Sequence, residues 1–317
     1  MADSKPTLAV SMGDTSGIGP EVAIRACARL SRVARFTFVG DRGVLESTAR
    51  RLGLKAPSAI VETSLLRASE RRPGKPSAAG AEAAYQAILR AVALVQAEEA
   101  DAMVTAPVSK QAIQSLGYEF QGHTELIARL AGNADVRMMM AGSTLSVVLV
   151  TTHIRYADVP AALTPETIAD TAVIAHRSLR EHFGVRRPRL ALAGLNPHAG
   201  EGGAFGDEEA TILVPAIMAA AARGVRLDGP HPPDTVFSRA RGGEFDAVIS
   251  LYHDQGLIPF KLLHFQDGVN VTLGLPFPRT SPDHGTAFDI AGKGKADPSS
   301  MASAIRLAAA MAARRAR

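Results

Sequence analysis

The sequence predicts a mostly parallel α/β protein. Short apolar runs alternate with helical patterns along the whole chain. Residues 163–184, LTPETIADTAVIAHRSLREHFG, read as a long amphipathic helix. A length of 317 residues is enough for a substantial core, in two domains or one large α/β unit.

Taken in order, TLAVSM (7–12) reads as the first strand. GDTSGIGP then turns into a helix, with Pro20 at an early helical position and Glu21 in its first turn. ARFTFVGD (34–41) is the next strand, 79–100 a long Ala-rich helix, and DAMVTAP (101–107) a strand running into a loop. STLSVVLVTTH (143–153) is the strongest strand signal. In the helix at 163–184, Thr164 is the expected N-cap and Gly184 the stop. PRLALAGLNPHAG (188–200) reads as strand then loop, 207–224 as helix, and FDAVISLYHDQG (245–256) as strand then loop. GVNVTLGLP (268–276) alternates like a strand, and a last helix begins near Ser299. Pro- and Gly-rich loops at 68–78 and 228–234 are candidate domain crossings.

The composition is that of an ordinary globular chain, with 46% hydrophobic and 21% charged residues. The net charge of +4 is spread out, and only 312–317 form a basic end, so nucleic acid is not an expected partner. The single cysteine, Cys27, cannot form an internal disulfide and fits a reducing cytoplasm. In its helix it reads as a small buried hydrophobe. The N-terminus lacks the pattern of a signal peptide, and no run approaches about 18 uninterrupted apolar residues, so no membrane span is expected.

Three histidines sit where strands end: His153 in VVLVTTHIR, His198 in AGLNPHAGEGG and His253 in SLYHDQG. Sites in α/β proteins are built at strand ends, so three imidazoles there suggest a divalent metal. No local zinc motif is present, and the ligands would have to converge from separate loops. Each histidine alone reads more readily as a hydrogen-bonding residue than as a ligand, and only the three together bring the metal reading level with that one. Asp254 is placed to orient an imidazole, or is a surface acid beside a turn.

GHTE (122–125) precedes a helical run and puts His123 and Thr124 at a helix N-terminus that favours anions. The simpler reading is an N-cap by Thr124. Lys261, Asn270 and Arg279 cluster around GVNVTLGLP and offer a point charge, an amide and a guanidinium fork. GDTSGIGPE (13–21) and GKGKAD (292–297) match neither GxGxxG nor the P-loop, so a dinucleotide would not be held by the ordinary Rossmann fingerprint. HGTAFDIAGKG (284–294) offers backbone donors and an acid, Asp289.

SMGDTSGIGPE, VTAPVSK, GHTE, GLNPHAGEGGAFGDEE, YHDQGLIPFK and GVNVTLGLPFPRTSPDHGTAFDIAGKGKA together resemble the 4-hydroxythreonine-4-phosphate dehydrogenase family of vitamin B6 biosynthesis, from about residue 7 to the last helix. The block around 284–300 also resembles the adenosine loop of isopropylmalate and isocitrate dehydrogenases. The resemblance implies a two-domain α/β/α sandwich like those dehydrogenases, with the active site in the interdomain cleft. The expected division is 1–130 plus 283–317 against 131–282. The resemblance also implies a homodimer, with His153, His198 and His253 as metal ligands, one of them supplied across the dimer. It makes His123, Thr124, Lys261, Asn270, Arg279 and Asp234 substrate contacts. His284, Gly285, Thr286, Ala287 and Asp289 are placed near the cofactor, NAD or NADP.

The implied reaction is metal-dependent oxidation of 4-phosphooxy-L-threonine with decarboxylation to 3-amino-2-oxopropyl phosphate. Zinc, cobalt, manganese and magnesium all suit such a site. The first loop departs from the family, reading Thr-Ser where Pro-Ala is more usual. That keeps open D-threonate or D-erythronate 4-phosphate as substrate and, further off, a terephthalate cis-dihydrodiol. Phosphotransacetylases look similar in fold but would not need three metal-binding histidines.

Overall fold

The computed structural model describes residues 5–315, which form two compact units, 5–135 with 275–315 and Val136–Gly274. Residues 275–282, allotted on sequence to the second domain, lie in the first unit because their strand pairs there.

The first unit is built on five parallel strands: β1 (Thr7–Ser11), β2 (Arg35–Gly40), β3 (Ile60–Glu62), β4 (Ala102–Thr105) and, from the far end of the chain, β11 (Arg279–Pro282). Their order is β3-β2-β1-β4-β11. The inner strands are apolar along their length because helices cover a parallel sheet. Leu8, Ala9 and Val10 of β1 and Ala102, Met103 and Val104 of β4 are fully buried.

Helix Ala78–Gln96 packs on β1 and β2, and helix Ser299–Arg315 on β4 and β11. Ala78–Gln96 is long and apolar enough by composition to cross a membrane. The expectation of no such segment considered only uninterrupted apolar runs, and Glu82 and Arg90 interrupt this one. Gly80, Ala84, Ala87, Ile88, Ala91 and Val95 are buried in the core, which explains its composition.

Side chains set the helix starts. Ser77 Oγ accepts from Gly80 N. Asp41, fully buried, accepts from Val44 N and Leu66 N and pairs with Arg71. Helix Gly19–Arg29 carries Pro20 and Glu21 in its first turn, and burial pushes the Cys27 thiol well above its usual range.

The second unit has strands β5 (Arg137–Ala141), β6 (Ser146–Leu149), β7 (Leu190–Ala193), β8 (Leu227–His231), β9 (Ala247–Ser250) and β10 (Val269–Leu273). Their order is β10-β5-β6-β9-β7-β8. β5 runs antiparallel to both β10 and β6, and the β6-β9-β7-β8 part is parallel. Met140, Val147, Leu149, Val248, Phe237, Leu257 and Phe260 form its core, and each such large side chain contributes about 1.5–3 kcal/mol on burial.

Helix Pro165–Glu181 starts as expected: Thr164 Oγ1 accepts from Thr167 N, and the Thr167 hydroxyl accepts from Thr164 N. The helix expected over 207–224 opens as a π-turn at Glu209–Leu213 before Val214–Ala222. The stretch after β9, expected as a loop, is helix His253–His264 with Pro259 inside it.

Candidate functional site

The strand order explains why histidines gather. β6, β9 and β7 are parallel neighbours, and each runs at its C-terminal end into a segment that carries a histidine. His153 lies beyond β6, and His253 is the first residue of the helix after β9. Their rings are 5.5 Å apart, centroid to centroid. His253 Nδ1 is 2.6 Å from Asp254 Oδ1, an arrangement that puts the proton on Nδ1 and leaves Nε2 as the lone-pair donor.

His198, beyond β7, is exposed on a loop with its ring 6.3 Å from Phe205. The structure therefore brings together His153 and His253. Among the described residues of one chain, no three His, Cys, Asp or Glu side chains form a group that could hold a metal.

Two residues that the sequence did not single out brace these loops. Gln255 Oε1 accepts from Leu251 N (2.7 Å) and its Nε2 donates to Gly194 O (2.7 Å), tying the end of β9 to the end of β7. Glu209, also buried, holds the loop that carries His198. Asp234 is exposed and shares a cavity of about 590 Å³ with Phe237, Tyr252, Asp254 and Gln255. Lys261 lies in the last turn of helix His253–His264. Asn270, on β10 opposite Met140, has its Oδ1 buried and unbonded.

In the first unit, His123 is the first residue of helix His123–Leu130, with Gly122 as the N-cap. Thr124 is in the first turn and does not cap. A Cβ on Gly122 would lie 2.8 Å from Glu125 Oε2 and 3.2 Å from Lys110 Nζ, so the chain passes close to both charges. Arg279 is 2% exposed and donates from Nη2 to Thr105 Oγ1 at 2.7 Å. Its burial pulls the guanidinium down to about 10, against the attraction of Glu125. Burial, then the charges of Arg279 and Lys110, hold the His123 imidazole well below its ordinary value, so it is neutral. His123, Lys110, Glu125, Thr105 and Arg279 thus form one cluster. Lys110 and Glu125 carried no sequence signal beyond their places in VTAPVSK and GHTE.

The 284–289 segment meets the first glycine loop. Ile18 N donates to Thr286 O at 2.9 Å, and a Cβ on Gly17 would lie 2.9 Å from that oxygen. Gly17 thus serves a close backbone approach. His284 Nδ1 is 3.1 Å from Gly285 O, Ala287 has φ 41°, and Asp289 is exposed. Asp14, in the same loop, is buried, and that burial raises its carboxyl above the usual range.

Polar atoms buried without a protein partner mark where a ligand would complete the bonding. His123 Nε2, Asn270 Oδ1 and His284 Nε2 are among the buried side-chain atoms that have no protein partner, as are Thr15 Oγ1 and Ser250 Oγ.

Paired imidazoles at strand ends, and a buried guanidinium near a neutral histidine, are the features of an α/β enzyme that takes a small anionic substrate. Residues 32–308 match the model of a family described as "Pyridoxal phosphate biosynthetic protein PdxA". The chain belongs to that family. It is 46% identical over 330 residues to the 4-hydroxythreonine-4-phosphate dehydrogenase of Geobacter metallireducens, covering 98% of this chain and 97% of that protein. It is 42% identical to the crystal structure of the Klebsiella pneumoniae 4-hydroxythreonine-4-phosphate dehydrogenase, with TM-score 0.85 and coverage of 97% and 99%. A terephthalate 1,2-cis-dihydrodiol dehydrogenase from Burkholderia xenovorans is less similar, at 32% identity and TM-score 0.70 over 96% of this chain and 98% of that one.

Proposed function

We propose that the chain oxidises 4-phosphooxy-L-threonine with NAD(P)⁺ and releases carbon dioxide, 3-amino-2-oxopropyl phosphate and NAD(P)H, as a step in vitamin B6 synthesis. The observation that carries this reading is the pair of rings 5.5 Å apart, with Asp254 behind one of them. The similarity to named 4-hydroxythreonine-4-phosphate dehydrogenases supports it over the hydroxy-acid and dihydrodiol alternatives.

His153, His198 and His253 are the proposed ligands of one divalent cation, zinc, cobalt, manganese or magnesium. Two of the three imidazoles already converge, and neutral nitrogen donors suit such an ion. A homodimer in which one ligand comes from the second copy would complete the set. When bound, such a cation would supply Lewis-acid chemistry at the substrate hydroxyl, and NAD(P)⁺ would supply the hydride acceptor.

The chain's own residues would do the rest. Asp254 fixes the His253 tautomer and ring plane. His123 and Thr124 offer neutral donors and backbone N–H groups at a helix start. Arg279, locked by Thr105, offers a pre-oriented fork to phosphate or carboxylate. Lys261 and Asn270 supply further donors and Asp234 an acceptor. Fixing both ends of the substrate sets the reacting C–H toward the nicotinamide. His284, Gly285, Thr286, Ala287 and Asp289 are the proposed cofactor contacts, and the place of action is the cytoplasm.

The test follows NADH absorbance on chelator-stripped protein, with zinc, manganese or magnesium added back. Metal-dependent turnover of 4-phosphooxy-L-threonine over D-threonate and D-erythronate 4-phosphates is the expected result. Equal turnover with and without metal, or a preference for the hydroxy acids, would overturn the reading.

A further inference from the structure

The loop that carries His198 has an unusual backbone. His198, Ala199, Gly200, Glu201 and Gly202 all have positive φ, at 53°, 54°, 80°, 41° and 67°. Three of the five are not glycine, and such residues in the left-handed region cost about 1 kcal/mol or more each unless their surroundings hold them. The loop is exposed at His198, so packing around that residue does not supply the restraint.

Backbone bonds from Ala199 N to Asn196 O (3.1 Å) and from Phe205 N to Gly200 O (3.3 Å) hold the run itself, and a carboxylate anchors the residues that lead into it. Glu209 is 7% exposed and stands in the π-turn that opens the next helix. Its Oε1 accepts from Leu195 N and from Asn196 N, both at 2.8 Å. Its Oε2 accepts from Asn196 Nδ2 at 2.9 Å, and the same amide donates to Glu208 Oε2 at 2.8 Å. The far side of Glu209 abuts the middle of the loop: a Cβ on Gly200 would lie 2.8 Å from Oε2. One buried acid thus bonds the residues leading into the loop and backs its turning point. The π-turn fits this role, since the extra residue in a helical turn re-aims a side chain at a functional site.

We infer that Glu209 is the positioning residue of the His198 loop, a carboxylate clamp that keeps the left-handed run from 198 to 202 in the conformation that presents the His198 imidazole to a metal. The inference rests on the proposed role of His198 as a ligand. Glu209 touches neither metal nor substrate. It acts by charge-assisted bonds: Oε1 accepts both backbone N–H groups, so glutamine keeps that acceptor without its charge and sets Nε2 against the Asn196 amide.

The experiment uses full-length protein, with cobalt(II) alone as probe, read by equilibrium dialysis and by the visible absorption of the bound ion. Glu209→Gln is compared with wild type and with His198→Ala. Backbone hydrogen exchange of the metal-free proteins is read over 195–206. The expected result is about a tenfold or greater loss of cobalt affinity in Glu209→Gln. Its cobalt spectrum should be altered and exchange faster at 195–203, with unchanged exchange in β6 and β9. Wild-type affinity together with wild-type exchange in Glu209→Gln would overturn the clamp. Faster loop exchange in Glu209→Gln, with His198→Ala binding cobalt as tightly as wild type, would instead overturn the ligand role on which it rests. If Glu209→Gln does not fold, Glu209→Asp, one methylene too short to reach Leu195 N and Asn196 N, is put through the same measurements. There too, wild-type cobalt affinity and exchange would overturn the clamp.

Discussion

The imidazole of His153 lies 5.5 Å from that of His253, one beyond β6 and the other opening the helix after the adjacent strand β9. Both face the same strand ends, and neither ring is deep in the core. Replacing either with alanine should therefore abolish metal-dependent turnover while stability changes by no more than about 0.5 kcal/mol. Metal content and thermal unfolding of His153→Ala and His253→Ala check this. A large loss of stability, or full metal content, would contradict it.

Asp254 is exposed apart from its contact with His253 Nδ1. Asp254→Asn should weaken metal binding about 10–100-fold, because the amide no longer fixes the tautomer by accepting with a full charge. Metal titration of the apo-protein measures it.

Arg279 is buried, and its charge is expensive to hold in place. Arg279→Met should lower stability by about 1–3 kcal/mol, since it strips the buried Thr105 hydroxyl of its donor and Glu125 of a counter-charge. The same variant should raise KM for the phosphorylated substrate at least about tenfold, the equivalent of one charge-assisted hydrogen bond. Denaturant melts and steady-state kinetics on the one variant separate the two effects.

His123 is neutral because folding depresses its proton affinity. Its unfolded imidazole binds a proton below about pH 6.5, and the folded one does so only at much lower pH. The unfolded state therefore binds more protons in that window, and stability falls as the pH drops below about 6.5. Above it, the contribution is fully present. His123→Gln should flatten the decline of unfolding midpoint between about pH 7 and pH 5. A wild-type slope in the variant would contradict the assignment.

Phe260 is fully buried in the second unit's core, beside Phe237, Leu257 and Val147. Phe260→Ala should cost about 3–5 kcal/mol, measured by urea unfolding. The helix it anchors begins at His253, so metal affinity should fall with it.

Much of this was legible in the sequence because local and tertiary signals agree. β1, β6, β7 and β9 read as strands from their apolar runs, and Thr164 capped its helix as its side-chain chemistry dictates. The helix from His253 was hidden because Tyr252 supplies no side-chain cap and Gly256 and Pro259 look like loop residues. Gly256 is there because a Cβ would lie 2.5 Å from Val147 Cγ1, a tertiary reason invisible in the local pattern. β5 was missed because RMMMA has no β-branched residue. The histidines were visible as residues, but their grouping depends on the order β6-β9-β7, which the chain alone does not spell. The braces Gln255 and Glu209 escaped because each acts on backbone groups far along the chain.

The central claim is a metal-dependent oxidation coupled to decarboxylation, and the most direct test measures both products together. 4-Phosphooxy-L-threonine labelled with ¹³C at the carboxyl is incubated with NAD⁺ and the metal-loaded protein, and NADH and labelled carbon dioxide are quantified. The account predicts equal amounts of the two, both abolished by chelator and restored by added metal. NADH without labelled carbon dioxide, or either product at full rate in chelator, would contradict it.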